Sequence, residues 1–423
     1  MDQLSPTASA VQVGGVRPYW CLMLLFAGIA LNLFDRQIIN ILAQDIKREF
    51  VISDAQLGLL TGTAFAFFYS IVGIPVGLLA DRVNRIKLVA SAISVWSLFT
   101  IFSGFTANFF QLVIARMGVG IGEAGSAPAS TALISDLFPD KGRATAMSVL
   151  LLGAPVGSFI GLGLGGYVAA EWGWRAAFIV AGVPGLVLAP IMLATMRDPR
   201  HQALSSNTST SVAKTVGTLF QSAAFRWLAL GMVCSSFMVY GSGAWLPPFF
   251  IRNYGMTLTE IGSYSAIAVG IGGGLGTLGG GFICDRLRNK VRHVELSFVM
   301  LAMVLGIPSM LLTIFGPDRS TAIVGMILFC MCAFSCTAPI ISFIQRQTPP
   351  ESRALAIAFC SAGSNIVPLG LGLPLIGLLS DGLHVAYGQM ALGYALLSGI
   401  FLAVVAGVGA LWRARTIITN VRL

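Results

Sequence analysis

Four charged residues stand inside segments of the chain that are otherwise apolar. They are Asp35 and Arg36 in the first such segment and Arg116 and Glu123 in the fourth. A charge in the hydrocarbon region of a membrane is costly, so it usually lines a cavity and has a partner. Desolvation raises the pKa of a carboxyl group and a nearby guanidinium lowers it, so such a group can load and release protons. We therefore predict Asp35 and Glu123 as proton-coupling residues. Arg36 and Arg116 either keep them ionised or bind an anionic substrate group.

The depth of these residues in the membrane follows from their distance to the segment ends. Asp35 lies about eight residues before the outer end of its segment, and Arg116 about seven residues after the outer end of its own. Both are then roughly 11 Å deep, so an Asp35–Arg116 ion pair is sterically reasonable. Glu123 should lie on nearly the same helix face as Arg116, about two turns deeper, where no further charge is evident. A permanent salt bridge that only fixes helix packing remains an alternative.

The segments that carry these charges indicate a membrane protein. The chain has 423 residues, of which 56% are hydrophobic and 10% charged, whereas soluble domains have about 25% charged residues. A spanning helix needs about 20 apolar residues. Twelve segments meet this length, and we predict an all-α membrane protein with spans at 18–43, 56–80, 86–106, 109–136, 142–170, 174–195, 226–250, 259–283, 294–315, 321–345, 353–379 and 386–412.

The spans divide into two groups of six. The Ser/Thr-rich stretch 196–225 has no helical period and is predicted to be a cytoplasmic linker. The predicted organisation is an N-terminal tail at 1–17, a six-helix bundle at 18–195, the linker, a second six-helix bundle at 226–412, and a C-terminal tail at 413–423. The tail before the first span has no basic residue up to Val16, so the first span is interpreted as a retained helix rather than a signal peptide.

Basic residues indicate the orientation. With both termini in the cytoplasm, the inner segments hold 19 of the 26 Lys and Arg residues and the outer loops hold five. This asymmetry follows the positive-inside rule. The net charge of +9 is therefore explained by topology, and no nucleic-acid partner is predicted. We expect an integral protein of a bacterial inner membrane.

A loop motif occurs twice, about half a chain apart. Gly77-x-x-x-Asp81-Arg82, with Arg85 after it, ends the second span, and Gly281-x-x-x-Asp285-Arg286 ends the eighth. The first copy resembles motif A of the major facilitator superfamily, with Asn84 at a position where the family has a second Gly. Repeated halves are typical of secondary transporters, which bind substrate between the halves near the midplane. We predict both copies as a conformational latch on the cytoplasmic side; a solvated loop is the alternative.

The second half lacks counterparts of the buried charges, so ion coupling is expected in the first half. Tyr240 and Asn365 are the predicted substrate contacts of the second half. The seven cysteines lie in or at the ends of apolar segments without a metal-binding spacing, and are interpreted as buried thiols. No metal site and no cofactor are predicted, apart from a proton gradient as the energy source.

Several strings resemble the spinster transporters of the major facilitator superfamily. They cover about 17–200 and include Asn32-Leu-Phe-Asp35-Arg36 and Ala115-Arg116-x-x-x-Gly120-x-Gly122-Glu123-Ala124. The resemblance implies two pseudo-symmetric six-helix bundles, alternating access, a monomer among membrane lipids, and functional roles for Asp35, Arg36, Arg116 and Glu123. It also implies an amphiphilic anionic substrate such as a lysophospholipid or sphingoid phosphate, moved with protons. The short loops indicate a bacterial homologue.

Other functions remain as alternatives. Sugar-acid:proton symporters also have Asp-Arg in the first helix and Arg…Glu-Ala in the fourth, but would require more polar lining in the second half. A multidrug exporter is the third possible function. An enzyme is not expected, because the three histidines lie in or near loops and form no cluster. A channel would require a repeated selectivity element.

Overall fold

The computed structural model describes residues 18–80, 83–138, 140–198, 212–349 and 352–420, and these residues are almost entirely helical, with no strand among them. The first half contains seven α-helices and one π-helical segment. They are α1 (Pro18–Phe50), α2 (Asp54–Gly58), the π segment Leu59–Thr63, α3 (Ala64–Ala80), α4 (Arg85–Ser103), α5 (Phe109–Glu123), α6 (Ser126–Leu137) and α7 (Asp140–Thr195).

The second half repeats this pattern after a short additional helix. Its elements are α8 (Val212–Gln221), α9 (Ala223–Tyr254), α10 (Leu258–Ala266), the π segment Ile267–Gly272, α11 (Gly273–Leu287), α12 (Val294–Phe315), α13 (Arg319–Ser335), α14 (Thr337–Gln347), α15 (Arg353–Asn365), the π segment Ile366–Gly372, α16 (Leu373–Tyr387), the short 3₁₀ turn Gly388–Met390 and α17 (Ala391–Asn420).

Some of these helices hold two spans and others share one. α7 has 56 residues, so a straight helix would be roughly 84 Å long, far more than a bilayer core of about 30 Å. Gly173, with φ of +81°, separates its two spans, and Gly388, with φ of +54°, separates α16 from α17. Conversely, α5 and α6 form one span, as do α13 and α14. The described helices thus form twelve spans in two six-helix bundles, and the predicted fold is confirmed.

Two of the irregular points in the helices occur at matching places in the two halves. The second span of each half contains a π segment, Leu59–Thr63 in one and Ile267–Gly272 in the other. The fourth span of each half is interrupted, after Glu123 in one and at Cys336 in the other. Since π segments are rare and often functional, their repetition at the same place supports the relation between the halves.

The two bundles pack closely through glycines in their outer halves. A Cβ on Gly166 of α7 would lie 2.5 Å from the carbonyl oxygen of Leu258 in α10, and a Cβ on Gly262 of α10 would lie 2.5 Å from that of Leu162. No side chain fits at such distances, so the small residues allow the helix backbones to approach each other. This contact holds the first and second bundles together near the outer surface.

The structure differs from the sequence prediction at several boundaries. α8 lies inside the predicted linker 196–225, where no helical period was recognised; residues 199–211 of that linker lie outside the described residues. α8 is held by its last turn, where the Phe220 ring lies 4.6 Å from that of Phe359 in α15. α1 and α17 continue past positions 43 and 412. Polar residues end an apolar run in a sequence, but they can still extend a helix into the membrane surface, and cations such as Lys47 suit a helix C-terminus.

Candidate functional site

Asp35 lies in a closed network formed by α1, α4 and α5. Its side chain is 2% exposed, and Oδ2 accepts a hydrogen bond from Nη1 of Arg116 at 3.2 Å. Oδ1 accepts the hydroxyl of Thr100 at 2.7 Å. The ion pair predicted between Asp35 and Arg116 is therefore confirmed, whereas Thr100 is a partner that the sequence did not reveal.

Glu123 forms a second ion pair, with Arg36. Nε of Arg36 lies 2.6 Å from Oε2 of Glu123, whose side chain is fully buried. The expectation that no charge lies at the depth of Glu123 is wrong, because the long arginine side chain extends away from the level of its own Cα. The second oxygen, Oε1, is buried and meets no donor among the described residues. A buried carboxylate oxygen without a donor is energetically costly, because burial removes its hydration.

Aromatic rings hold the Arg36 guanidinium. Its central carbon lies 4.5 Å from the ring centre of Phe65 and 4.6 Å from that of Tyr69, both on α3. Tyr240 of α9, the predicted contact from the second half, is close enough to interact electrostatically with Arg36. The Arg36 side chain is 20% exposed, and its two Nη groups donate no hydrogen bond within the part of the chain that the structure describes. They are available to an anion.

The glycine string before Glu123 explains how α5 carries this site. A Cβ on Gly120 would lie 2.6 Å from the carbonyl oxygen of Phe65, and a Cβ on Gly122 would lie 2.6 Å from the amide nitrogen of Trp96. Glycine at both positions lets α5 press against α3 and α4 at once. α5 then ends at Glu123, and α6 begins at Ser126. The carboxylate is thus fixed at a break in a span, between three helices.

The remaining predicted contact, Asn365, lies at the end of α15 beside a π segment. Its Nδ2 donates to the carbonyl of Ser361 at 2.9 Å, and its buried Oδ1 has no hydrogen-bond partner among the described residues. The structure does not connect Asn365 to the four buried charges by any hydrogen bond or ion pair between described residues. Its role as a substrate contact stays a prediction.

The observed ion pairs of the two loop motifs each lie within one bundle. Asp81 and Arg82 lie outside the described residues, and Gly77 lies in α3. Arg85 donates to Oδ2 of Asp136 within the first bundle at 2.6 Å. In the second copy, Gly281 lies in α11, Arg286 is exposed, and Asp285 pairs with Arg288 of the next turn at 3.3 Å. The latch role of both motifs stays a prediction.

A charged cluster at the outer surface joins the bundles, and the sequence did not reveal it. Both carboxylate oxygens of Asp54 lie 2.7 Å from Nη atoms of Arg252 in α9. Lys47 and Ser380 also donate to Asp54, at 2.5 and 2.7 Å. Asp381 of α16 accepts the backbone N–H groups of Asp54 and its neighbour in α2, both at 2.9 Å. This outer cluster lines a cavity of about 350 Å³.

The outer cluster determines which side of the protein is closed. All hydrogen bonds and ion pairs that join described residues of the two bundles lie in their outer halves, from the outer cluster inward to the bond between Thr63 and the carbonyl of Gly370. The glycine contacts between α7 and α10 lie there too. The structure is therefore closed on the outer side. A sequence scan treats Asp54 and Arg252 as ordinary charges at span ends, because their pairing depends on how the bundles dock.

Comparison with known proteins agrees with this architecture. A model of the Major Facilitator Superfamily matches residues 25–369. An MFS-type efflux pump of Mycolicibacterium smegmatis is 33% identical over 94% of this chain and 92% of its own length. A sphingosine-1-phosphate transporter of Danio rerio is 27% identical over 91% of this chain and 81% of its own length.

Among solved structures, a bacterial homologue of the human lysosomal transporter spinster is similar over most of its length. It is inward-facing and unoccupied, and it has a TM-score of 0.79 at 25% identity, over 94% of this chain and 95% of that one. The matched family and these relatives are thus all transporters, and none of them is an enzyme. The chain is an integral membrane transporter that resembles the spinster proteins and belongs to the Major Facilitator Superfamily.

Proposed function

We propose that this transporter moves an amphiphilic anion, of the lysophospholipid or sphingoid phosphate type, together with protons by alternating access. The observation that carries the proposal is the Arg36–Glu123 pair beneath two aromatic rings. The arrangement offers a cation with unused donors, a buried carboxyl group and apolar surface in one place. An anionic headgroup fits the guanidinium, because arginine donors match phosphate and carboxylate oxygens.

Competition for Arg36 supports proton coupling. Arg36 stabilises the ionised form of Glu123 through the 2.6 Å contact. An anion bound at the Nη groups would share that positive charge and weaken its hold on Glu123, so anion binding favours protonation of the carboxylate. Substrate and proton would then bind together. Asp35, in its closed network with Arg116, is the second proposed proton site.

Alternating access is supported by the closed outer side. With the outer cluster and the α7–α10 contact formed, the site between the bundles exchanges with the cytoplasm; breaking both opens the other side. Motif A would then close the cytoplasmic side. In this arrangement the protein lies in a bacterial inner membrane with both termini in the cytoplasm, which places the excess of basic residues inside.

A multidrug exporter is the second candidate, because a similar relative is an efflux pump. The Arg36 cation disfavours the lipophilic cations that many such pumps export, since like charges repel. An anionic drug would still fit. A sugar acid would also satisfy Arg36, but Phe65 and Tyr69 offer it few hydrogen-bond partners. One transport assay with different substrates distinguishes these candidates.

The test is proton flux into liposomes that contain the purified protein and a pH-sensitive dye. Sphingosine 1-phosphate, a lysophospholipid, a sugar acid and a lipophilic cation are added in turn. We expect flux with the first two compounds and its loss in Asp35→Asn and Glu123→Gln. Glu171→Gln, which removes an exposed carboxylate, is the matched control and should keep the flux. Flux that survives both buried substitutions would overturn proton coupling through these residues.

A further inference from the structure

The Thr100 hydroxyl occupies an unusual position between two acceptors. It lies on α4 with no exposed surface. Its oxygen is 2.7 Å from Oδ1 of Asp35 and 2.9 Å from the backbone carbonyl oxygen of Trp96, one turn earlier in the same helix. A hydroxyl has one proton, so it can donate to only one of these oxygens at a time. The direction of its O–H bond is therefore decided by what Asp35 requires.

We propose that Thr100 is a positioning residue that rotates its hydroxyl to match the protonation state of Asp35. When Asp35 is ionised, Thr100 donates to Oδ1. When a proton from water binds Oδ1 and forms the O–H bond of the acid, Asp35 donates to the Thr100 oxygen, and Thr100 turns to donate to the Trp96 carbonyl. The threonine keeps its own proton throughout, so no covalent bond to it is made or broken.

The geometry satisfies both states without moving a helix. The Trp96 carbonyl already accepts the α-helical N–H of the residue four positions later, so it stays hydrogen-bonded when the Thr100 hydroxyl turns away. When the hydroxyl turns back, the same carbonyl oxygen can accept it as a second hydrogen bond. Arg116 donates to Oδ2 in either state, at 3.2 Å. A buried carboxyl group normally leaves an unsatisfied atom in one of its two states, which is costly. Thr100 removes that cost from both.

The other charges around Asp35 cannot perform this task. Arg116 is a permanent donor and can never accept. Arg36, its neighbour along α1, bonds to Glu123, which in turn acts on Asp35 only through its charge. α7 packs along α1 through glycines, with Gly161 against Phe34, and its charged residues lie at its ends or at the turn near Gly173. Among the described residues, the hydroxyl on α4 is the one group bonded to Asp35 that both donates and accepts.

This inference rests on the proposed role of Asp35 as a proton site, and the experiment separates the two. Infrared difference spectra are recorded on the full chain in lipid nanodiscs as pH is varied, without substrate. The Asp35 acid band is the C=O stretching band that disappears in Asp35→Asn. The variants are Thr100→Val, which has the same shape without the hydroxyl, and Thr100→Ser, which keeps the hydroxyl.

We expect the acid band of the wild type at the position of a hydrogen-bonded acid. In Thr100→Val it moves to higher wavenumber, because the acid has lost its acceptor. Thr100→Ser restores the wild-type position of the band. Thr313→Val is the matched control, since that buried hydroxyl bonds only to the Ser309 carbonyl of its own helix.

Each result decides one of the two claims. A titrating band that is the same in Thr100→Val as in the wild type, or that Thr100→Ser fails to restore, would overturn the role of Thr100. If Thr100→Val does not fold, the wild-type spectrum still decides: an acid band at the position of a free acid overturns the inference. If no band depends on Asp35 at any pH at which the protein stays folded, it is the proton role of Asp35 that fails.

Discussion

At the scale of single residues, the first bundle divides its buried charges into two pairs with different access. Asp35 and Arg116 are enclosed, each with 2% of its side chain exposed, while Arg36 is 20% exposed and pairs with the fully buried Glu123. A buried ion pair contributes little net stability, because desolvation offsets the attraction. Keeping two such pairs side by side therefore points to a requirement of function rather than of folding.

The enclosed pair predicts a specific pattern of stability. Arg116→Gln leaves the Asp35 carboxylate buried without its cation, and we expect a loss of about 3 kcal/mol in unfolding free energy. Adding Asp35→Asn removes the uncompensated charge, so the double variant should recover most of the loss. The measurement is unfolding of each variant in the same detergent at neutral pH. Equal stability of the single and double variants would mean that the two residues do not act as a pair.

At the scale of elements, irregular helices place the functional groups. The break after α5 fixes Glu123, and the capping box of Ser53 and Gln56 fixes the first turn of α2. That first turn receives a second cap from the other bundle, since Asp381 of α16 accepts two of its backbone N–H groups. Helix N-termini attract carboxylates through their free N–H groups and dipole. Here this attraction acts between the bundles, so it depends on the conformation of the transporter.

Removal of this second cap should shift the conformational equilibrium. We expect Asp381→Ala to cost the outer-closed state about 1.4 kcal/mol, which is tenfold in population. The outward-open state should rise by that factor in distance measurements between spin labels at the exposed outer residues Phe105 and Val385. Asp318→Ala removes a helix cap within one bundle, where Asp318 accepts the N–H of Thr321. A similar shift in this control would show that caps act through helix stability alone.

At the scale of the whole molecule, some features follow from sequence and others from docking. The number of spans, the repeat and the Asp35–Arg116 pair were predictable, because apolar length, spacing and depth are properties of single helices. The Arg36–Glu123 pair was not, since a flexible side chain leaves the level of its own Cα. The outer cluster could not be predicted for a different reason. Its residues Asp54, Arg252 and Asp381 lie far apart in the chain, and only the packing of two bundles brings them together.

Docking of the bundles also depends on backbone contacts that charges cannot replace. Gly166 and Gly262 bring α7 and α10 within contact of each other's carbonyl oxygens in the outer half. The proposed alternating access separates the bundles on the outer side and so breaks these contacts; an added methyl group should then oppose closure without affecting the open state. Overpacking of this kind costs about 1–3 kcal/mol. We therefore expect Gly166→Ala to enrich the outward-open state by about five- to 150-fold at an unchanged helix content.

The same outer spin-label distances test this expectation, with circular dichroism as the check on folding. Gly274→Ala is the control, because a Cβ there would meet no atom within 4 Å. The double variant Gly166→Ala with Asp381→Ala tests whether the two contacts act on the same closing movement. If the glycine contact and the cap act on one rigid-body movement, their effects on the equilibrium add as free energies. If either variant alone leaves the outer side as closed as in the wild type, its contact does not contribute to closure.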